Sequence, residues 1–295
     1  MKHVAAFYAY LMERERIRLA KAENKPWPWT QDKILQTYKF TNVRREHDRT
    51  SLEFRRLYTQ HFKAPAEQIL LNCTIARYFG TSEFLQAVGW QDKFDPGRLK
   101  RIAKERLANN ERVFTGAYVI TNQGISAPKQ EVVVDYFLKD VWAQRKNLLD
   151  VVTKTGSWEE THKRLQLIQG FGGSGFMAKE VLLDTMYFKD FWPVSKGRGA
   201  SVPRDYDTFT PIGPGAQRGL ARVFEDESPR DNPALCRKYN LTHLMQIHAV
   251  QAEQGWPVGW GKLSPSDIQW GGCEFDKYER VRRKEGTPRS RYRQP

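Results

Sequence analysis

The sequence has little cysteine and no long apolar run. Three cysteines occur in 295 residues, and no two of them form a CxxC pair. A disulfide framework, a zinc ribbon and a four-cysteine iron–sulfur site are therefore poorly supported, and we expect no metal site and a reducing cytoplasm. No stretch approaches the roughly 18 consecutive apolar residues of a membrane-spanning helix, so we expect no membrane partner. A GK[ST] triplet is also lacking, which excludes a P-loop kinase.

Negative charge is scarce relative to positive charge. The chain has 48 Lys and Arg against 34 Asp and Glu, a formal net charge of +14. Such an excess favours a polyanionic partner, above all nucleic acid, although a merely basic soluble protein has the same balance. No internal repeat or composition shift marks a linker. The sequence therefore predicts one domain over 1–295, which ends in a basic tail at 286–295.

Helical periodicity dominates the chain. Apolar residues recur every three to four positions in most segments, which predicts a mainly α fold. The expected helices cover 1–24, 51–63, 65–79, 81–88, 95–107, 130–152, 158–168 and 176–188. Residues 112–125 are β-branched and punctuated by glycine, so they predict a strand pair or a loop. Residues 193–219 contain four prolines and five glycines and predict a long irregular insert.

A glycine-rich segment, LQLIQGFGGSGFMAKEVLLD, covers 165–184. We expect one helix to end at Gly170 and a second to begin near Phe176. Glycines allow a phosphate to approach the backbone, and a helix N-terminus attracts an anion. The segment therefore predicts a helix–hairpin–helix that grips DNA, although a plain αα-turn with glycine caps fits the same residues. The predicted DNA contacts are Gly170, Gly172, Gly173, Ser174, Gly175 and Lys179.

Asp207 opens a second polar segment, DTFTPIGPGAQRGL, which also contains Arg218. A carboxylate that follows a phosphate-gripping hairpin is suited to act as a base or an electrostatic stabiliser. A helix cap or an ordinary surface residue is the alternative interpretation of Asp207.

Arginines cluster in a third segment, KFTNVRREHDRTS, at 39–51. Arg45 and Arg49 lie near Asn42 there, and arginine forks bind phosphate or pyrophosphate bidentately. A solvated basic helix start, capped by Asn42, is the alternative interpretation.

The fourth segment, GGCEFDKYERVRRKEG, covers 271–286 and is expected to be helical. Glu274 falls on one face with Lys277 at i+3 and with Tyr278 at i+4. The pattern fits a binding face, and it also fits an ordinary salt-bridged amphipathic helix.

Six blocks, taken in order, resemble a known family. The blocks are PWTQD (28–32), FTNVRREHDRTS (40–51), GAYVITNQG (116–124), GFGGSGFMAKEVLLD (170–184), DTFTPIGPGAQRGL (207–220) and CEFDKY (273–278). They resemble bacteriophage DNA-base hypermodification proteins, also called amino acid:DNA transferases or α-glutamyl/putrescinyl-thymine pyrophosphorylases, from about residue 7 to residue 292. That family is distantly similar to helix–hairpin–helix DNA glycosylases and to the helical domain attached to 5-hydroxymethyluracil DNA kinases.

The resemblance implies a glycosylase-like helical fold and a reaction on thymine-derived bases inside double-stranded DNA. A 5-hydroxymethyluracil DNA kinase would first make a phosphorylated or pyrophosphorylated 5-hydroxymethyluracil. This chain, functionally coupled to that kinase, would then displace the leaving group with the amine of an amino acid or polyamine. The resemblance implies no cofactor, and it implies action in the cytoplasm of an infected bacterial host.

The resemblance also implies roles for particular residues. The target base must leave the stack to be reached. The resemblance implies that Asp207 is catalytic and takes a proton from the amine. Residue type alone predicts Glu274 as a second catalytic residue. Residue type alone also predicts the substrate- or pyrophosphate-binding residues, which are Asn42, Arg45, Arg49, Arg218, Lys277 and Tyr278.

The chain departs from ordinary glycosylases at two points. The insert at 190–206 lengthens the gap between the hairpin and Asp207. The hairpin has two extra residues, and Ser174 or Gly175 falls where a lyase has its Schiff-base lysine, so lyase activity is not expected. Two alternative functions stay open, a DNA glycosylase that excises a modified base and a non-catalytic DNA-binding module.

Overall fold

A computed structural model describes residues 1–197 and 200–292. These residues form a mainly helical structure with two short strands, which confirms the predicted fold class. The α-helices are α1 (Val4–Ala22), α2 (Lys33–Thr37), α3 (Arg49–Tyr58), α4 (Ala66–Phe79), α5 (Ser82–Val88), α6 (Pro96–Ala108), α7 (Lys129–Val132), α8 (Lys139–Thr155), α9 (Trp158–Gln166), α10 (Phe176–Thr185), α11 (Pro214–Phe224), α12 (Leu241–Ala249) and α13 (Pro265–Arg282). A π-helical stretch, Val133–Leu138, joins α7 to α8 without a break.

Local capping signals explain several helix starts. The Asp95 carboxylate accepts the Arg98 amide, and Pro96 occupies the first turn of α6, as the sequence predicts. Ser264 and Asp267 form a reciprocal capping box at the start of α13. Both starts are determined by residues close in sequence, but only the start of α6 was predicted, and α13 begins at Pro265, before the predicted segment at 271–286.

The predicted irregular insert at 193–219 is partly regular. Strands β1 (Val194–Gly197) and β2 (Ala200–Val202) pair antiparallel within it, and α11 begins at Pro214. Proline is compatible with the first turn of a helix, so the composition of this segment does not prevent α11. Residues 112–125 form a loop, one of the two alternatives that the sequence allows.

The chain divides into two compact units. Met1–Asp48 and Asp207–Pro295 form the terminal unit, and Arg49–Tyr206 form the middle unit. Of the predicted basic tail, residues 293–295 lie outside the described part of the chain.

The core of the terminal unit lies where α1, α11 and α13 meet. Phe7 of α1 packs edge-on against Phe275 of α13, with ring centroids 5.4 Å apart. Helices α11 and α13 cross so closely that a Cβ on Gly219 would overlap the backbone of Gly272. This close approach sets the position of α13 and of the polar side chains that it presents.

The middle unit is built on α4, α8 and α10 and contains a buried charge cluster. Arg77 of α4 donates to both carboxylate oxygens of Asp184, and its Nη1 lies 3.4 Å from Glu180 Oε2. Burial opposes the charge on Arg77, but the two carboxylates raise its pKa above the usual value. Breaking such a buried pair costs roughly 3–5 kcal/mol, so the cluster ties α4 to α10.

Candidate functional site

Residues of four of the six sequence blocks meet in the terminal unit. The Tyr278 hydroxyl donates to Asp32 Oδ2 at 2.6 Å, and the Thr41 amide donates to Glu274 Oε2 at 3.2 Å. Arg218 Nε donates to Asp276 Oδ2 at 3.1 Å. Direct contacts therefore connect the blocks at 28–32, 40–51 and 207–220 to the CEFDKY block on α13.

The other two blocks meet in the middle unit. The Gly170 amide donates to Gln123 Oε1 at 3.1 Å, and the Tyr118 ring packs against Phe176 at 5.2 Å. The loop at 116–124 therefore supports the glycine-rich turn. No sequence signal other than the shared order of the blocks indicates this contact.

A pocket of about 560 Å³ lies beside α1 and α13 in the terminal unit, and we call it the aromatic–acidic pocket. Three aromatic rings and three carboxylates contribute to its wall, together with small apolar side chains. Its lining residues are His3, Ala6, Ala9, Tyr10, Glu13, Asp32, Leu35, Phe275, Tyr278, Glu279 and Arg282. Three carboxylates and one arginine line the pocket, and carboxylates beside aromatic faces suit an ammonium group.

The hydroxyl groups of Tyr10 and Tyr278 differ in whether they have a hydrogen-bond partner. Asp32 caps α2 through its Oδ1, and this orients its Oδ2 to accept from the Tyr278 hydroxyl. Burial, reinforced by Asp32, raises the pKa of Tyr278. Tyr10 is buried, and its hydroxyl has no hydrogen-bond partner in the described part of the chain. Burial and the nearby charge of Glu274 raise the pKa of Tyr10 well above its ordinary value, so this buried hydroxyl keeps its proton.

The two glutamates of the pocket are held by neighbours on their own or adjacent segments. Glu13 accepts from Thr30 Oγ1 at 2.5 Å and pairs with Arg16 at 3.1 Å. Glu279 is paired with Arg282 at 2.7 Å, and although burial raises its pKa, the adjacent arginines lower it overall. Glu279 is therefore ionised at neutral pH.

Glu274 and Lys277 form an ion pair. Glu274 is 4% exposed, and its Oε1 lies 2.5 Å from Lys277 Nζ, so the predicted i,i+3 contact on one face of α13 is confirmed. Glu274 does not line the aromatic–acidic pocket, whereas Tyr278 does. The alternative interpretation, an ordinary salt-bridged helix, is thus sufficient to explain why Glu274 and Lys277 lie together. The catalytic role of Glu274 stays a prediction.

Asp207 is exposed in the terminal unit. Within residues 1–197 and 200–292, no group hydrogen-bonds to it or forms an ion pair with it. The helix cap that the sequence analysis offers as an alternative role belongs instead to Asp205, in the middle unit. Asp205 accepts from the Ser157 hydroxyl at 2.8 Å and from the Trp158 amide at 2.6 Å, at the start of α9.

The predicted phosphate-binding residues of 39–51 fall into both units. The Asn42 amide donates to Asp48 Oδ1 at 2.9 Å, and Arg45 lies 3.5 Å from Asp48 Oδ2. The Arg45 guanidinium also covers the Trp270 ring, 4.7 Å from its centroid. Arg49 belongs to the middle unit, where its 85% exposed side chain pairs with Glu53. The structure thus brings Asn42 and Arg45 together around Asp48.

The glycine-rich turn connects α9 to α10. Helix α10 begins at Phe176 as predicted, but α9 ends at Gln166, four residues before the predicted end at Gly170. Gly170 and Gly175 are buried, and both have positive φ. Gly172, Gly173 and Ser174 form the exposed arc of the turn.

Lys179, on the first turns of α10, is buried. Its Nζ lies 3.6 Å from Glu180 Oε1, inside the charge cluster that contains Arg77. The side chain is therefore used within the protein interior, and we leave Lys179 out of the proposed DNA contacts.

The described residues contain neither a metal-binding cluster nor a membrane-spanning helix. In residues 1–197 and 200–292, no group of three or more His, Cys, Asp or Glu is placed to hold a metal ion. None of the helices in that same part of the chain is both long and apolar enough to span a membrane.

Comparison with known proteins places the sequence of this chain in a family. No solved structure matches the chain. A protein of Bacillus phage SP10 named "5-hmdU DNA kinase" is 25% identical over 288 residues, which cover 92% of this chain and 44% of that relative. The chain thus spans less than half the length of this relative. The family described as "5-hmdU DNA kinase, helical domain" matches residues 1–287, which confirms the predicted likeness to the helical domain of these kinases. The chain belongs to this family.

Proposed function

We propose that the chain is a transferase that hypermodifies thymine-derived bases in phage DNA. An amine nitrogen would form a bond to the 5-methylene carbon of phosphorylated or pyrophosphorylated 5-hydroxymethyluracil. The bond from that carbon to the phosphate oxygen would break, phosphate or pyrophosphate would leave, and the nitrogen would lose one proton. The family match and the phage kinase relative support the choice of this modified base.

The aromatic–acidic pocket is the observation that carries the proposal. An amino acid or a polyamine brings at least one ammonium group, which carboxylates and aromatic faces attract. Asp32 is the lining carboxylate that no Lys or Arg pairs with in the described residues, and Tyr10 supplies a buried hydroxyl without a hydrogen-bond partner there. The pocket therefore fits the second substrate of a transferase better than it fits a flipped base alone.

The predicted residue roles divide between the units. Asp207 is exposed and makes no hydrogen bond or ion pair with the described residues, so its carboxylate is accessible to an attacking amine. Asn42, Arg45 and Arg218 are proposed to hold the leaving group, while Arg49 and the pair Glu274 and Lys277 are proposed on sequence alone. For Tyr278, the proposed role is to contact the amine in the pocket.

DNA binding is proposed for the exposed arc of the glycine-rich turn. Gly172, Gly173 and Ser174 present backbone amides beside the start of α10, where the first amides of a helix lack intrahelical partners. The partner would be double-stranded DNA that a 5-hydroxymethyluracil DNA kinase has already phosphorylated, inside an infected bacterial cell. No cofactor enters this step.

The test is nucleoside mass spectrometry of 5-hydroxymethyluracil DNA that has been treated with the kinase and then with this protein and a pool of amino acids and polyamines. A nucleoside that gains one amine supports the transferase. Free modified base with abasic DNA would instead show a glycosylase. The Tyr10→Phe variant removes the buried hydroxyl of the pocket. Its matched control is Tyr136→Phe, which changes an exposed tyrosine of the middle unit.

A non-catalytic DNA-binding module is the second candidate. Two observations favour it: the matched family is a helical domain, and the phage relative extends well beyond the matched part. Unchanged nucleosides together with intact DNA binding would favour this module over the transferase.

A further inference from the structure

A second pocket in the terminal unit has a volume of about 210 Å³ and is lined mainly by arginines. Its lining consists of Arg218, Arg222, Arg230, Arg280 and Asp276. We call it the four-arginine pocket. Only Arg218 of these belongs to the residues that the sequence analysis singled out.

Asp276 forms ion pairs with three of the arginines, in each case with the Nε atom. Its carboxylate lies 3.1 Å from Arg218 Nε, 3.2 Å from Arg222 Nε and 3.6 Å from Arg280 Nε. The Nη groups of Arg218 and Arg280 make no hydrogen bond with any residue that the structure describes. The carboxylate thus orients these guanidinium groups while their outer N–H donors stay available.

Positive charge exceeds negative charge in this pocket. Arg222 is fully buried, and both of its Nη atoms donate to Glu285. Arg230 is exposed, and its side chain has no ion-pair partner in 1–197 or 200–292. Four arginines therefore face two carboxylates, an excess of two positive charges, and partial burial strengthens their attraction for an anion.

We propose that the four-arginine pocket binds a phosphate group through the Nη donors of Arg218, Arg230 and Arg280. Planar guanidinium forks match phosphate oxygens bidentately, and a doubly charged anion would balance the excess charge. The phosphate can come from free pyrophosphate or from the DNA backbone. Naming pyrophosphate as a released product rests on the proposed function, whereas the anion site itself rests on the charge geometry.

The test is isothermal titration calorimetry with two probes, inorganic pyrophosphate and an unmodified DNA duplex, without amine or modified base. Arg230→Gln and Arg280→Gln remove one fork each, and Arg289→Gln removes an exposed arginine of the same unit that does not line the pocket. We expect each pocket variant to weaken binding about tenfold, because a hydrogen bond to a charged group contributes that much. The control variant should bind like the wild type.

The two probes separate the sources of phosphate. Weaker pyrophosphate binding in the pocket variants would identify a terminal phosphate as the ligand, and weaker duplex binding alone would identify the backbone. If both probes bind equally to wild type, Arg230→Gln, Arg280→Gln and Arg289→Gln, or if neither probe binds the wild type, the proposal is wrong. Arg280→Lys keeps the charge and loses the fork, so partial recovery of affinity would separate geometry from net charge. Because the assay has no transfer step, a failed transferase reaction would leave this result unaffected.

Discussion

The Tyr278 hydroxyl donates to Asp32 at 2.6 Å across 246 positions of sequence. Asp32 is held in place because its other oxygen caps α2, and Tyr278 is held by its position on α13. One hydrogen bond therefore joins two segments of the aromatic–acidic pocket. It also leaves Tyr10, on α1, as the pocket residue whose hydroxyl is free in the described part of the chain.

Tyr10→Phe tests whether that free hydroxyl serves a ligand. Removing a buried hydroxyl without a partner should leave the free energy of unfolding within about 0.5 kcal/mol of wild type, or raise it. The KM for the amine should rise about tenfold if the hydroxyl contacts the amine. Urea unfolding and amine titration of the transferase reaction measure the two quantities. An unchanged KM would remove Tyr10 from the amine site.

Tyr278→Phe should behave differently because its hydroxyl is already paired. Losing the bond to Asp32 should lower the free energy of unfolding by about 1–2 kcal/mol. Urea unfolding against the Tyr136→Phe control checks this value. Equal stability of the two variants would mean that the Asp32 contact contributes nothing to the fold.

The two sides of the glycine-rich turn should respond differently to alanine. Gly170 has φ +99, and a Cβ there would lie 2.5 Å from Tyr78 Oη, so Gly170→Ala should cost about 3 kcal/mol from strain and overpacking together. Gly173 has φ +65 and open space around it, so Gly173→Ala should cost about 1 kcal/mol. Urea unfolding of both variants provides the comparison, and equal losses would contradict the anchoring role of Gly170.

Two buried histidines predict weaker stability in acid. Burial lowers the pKa of His162 and of His248 below the ordinary value of 6.5, and each Nε2 hydrogen-bonds to a carbonyl, Gly175 at 3.0 Å and Leu263 at 2.8 Å. The unfolded chain binds these protons more readily, so stability is complete above about pH 6.5 and falls as the pH drops below it. Thermal unfolding between pH 8 and pH 5 should show this fall, and His162→Gln or His248→Gln should make it smaller. A midpoint that stays constant down to pH 5 would argue against buried neutral histidines.

Asp207→Asn should abolish amine transfer and preserve DNA affinity. The amide keeps the shape of the side chain but cannot accept a proton from the attacking amine. Because Asp207 is exposed and unpaired in the described residues, the substitution should leave stability within about 0.5 kcal/mol of wild type. Transfer at the wild-type rate would remove Asp207 from the mechanism.

Local signals explain which parts of the fold could be predicted. The starts of α6 at Asp95–Pro96 and of α10 at Phe176 follow from residues within one helical turn. The hairpin of β1 and β2 lies in a segment whose prolines and glycines indicate irregular structure, and α11 begins at one of those prolines. Composition averaged over such a segment conceals the short stretches that fold regularly.

The candidate site could be predicted only in part for a different reason. The sequence analysis selected Tyr278 and Arg218 but not Tyr10 or Arg280. Tyr10 lies on an apolar helix face, where a tyrosine is expected to be part of the core. Arg280 is one of several basic residues in a row, so nothing in the sequence distinguishes it. Their importance comes from contacts between distant segments, such as Arg218 with Asp276, and no local pattern encodes those contacts. The buried ion pair between Lys179 and Glu180 likewise could not be predicted from the position of Lys179 after a glycine-rich turn.

Nucleoside mass spectrometry of kinase-treated 5-hydroxymethyluracil DNA tests the central claim most directly. After incubation with the protein and a pool of amines, the account predicts a new nucleoside that is heavier by one amine and still attached to its sugar. Tyr136→Phe should form it like the wild type, and Tyr10→Phe should form less at limiting amine. Free modified base with abasic DNA, or nucleosides that do not change while the DNA stays bound, would contradict the transferase.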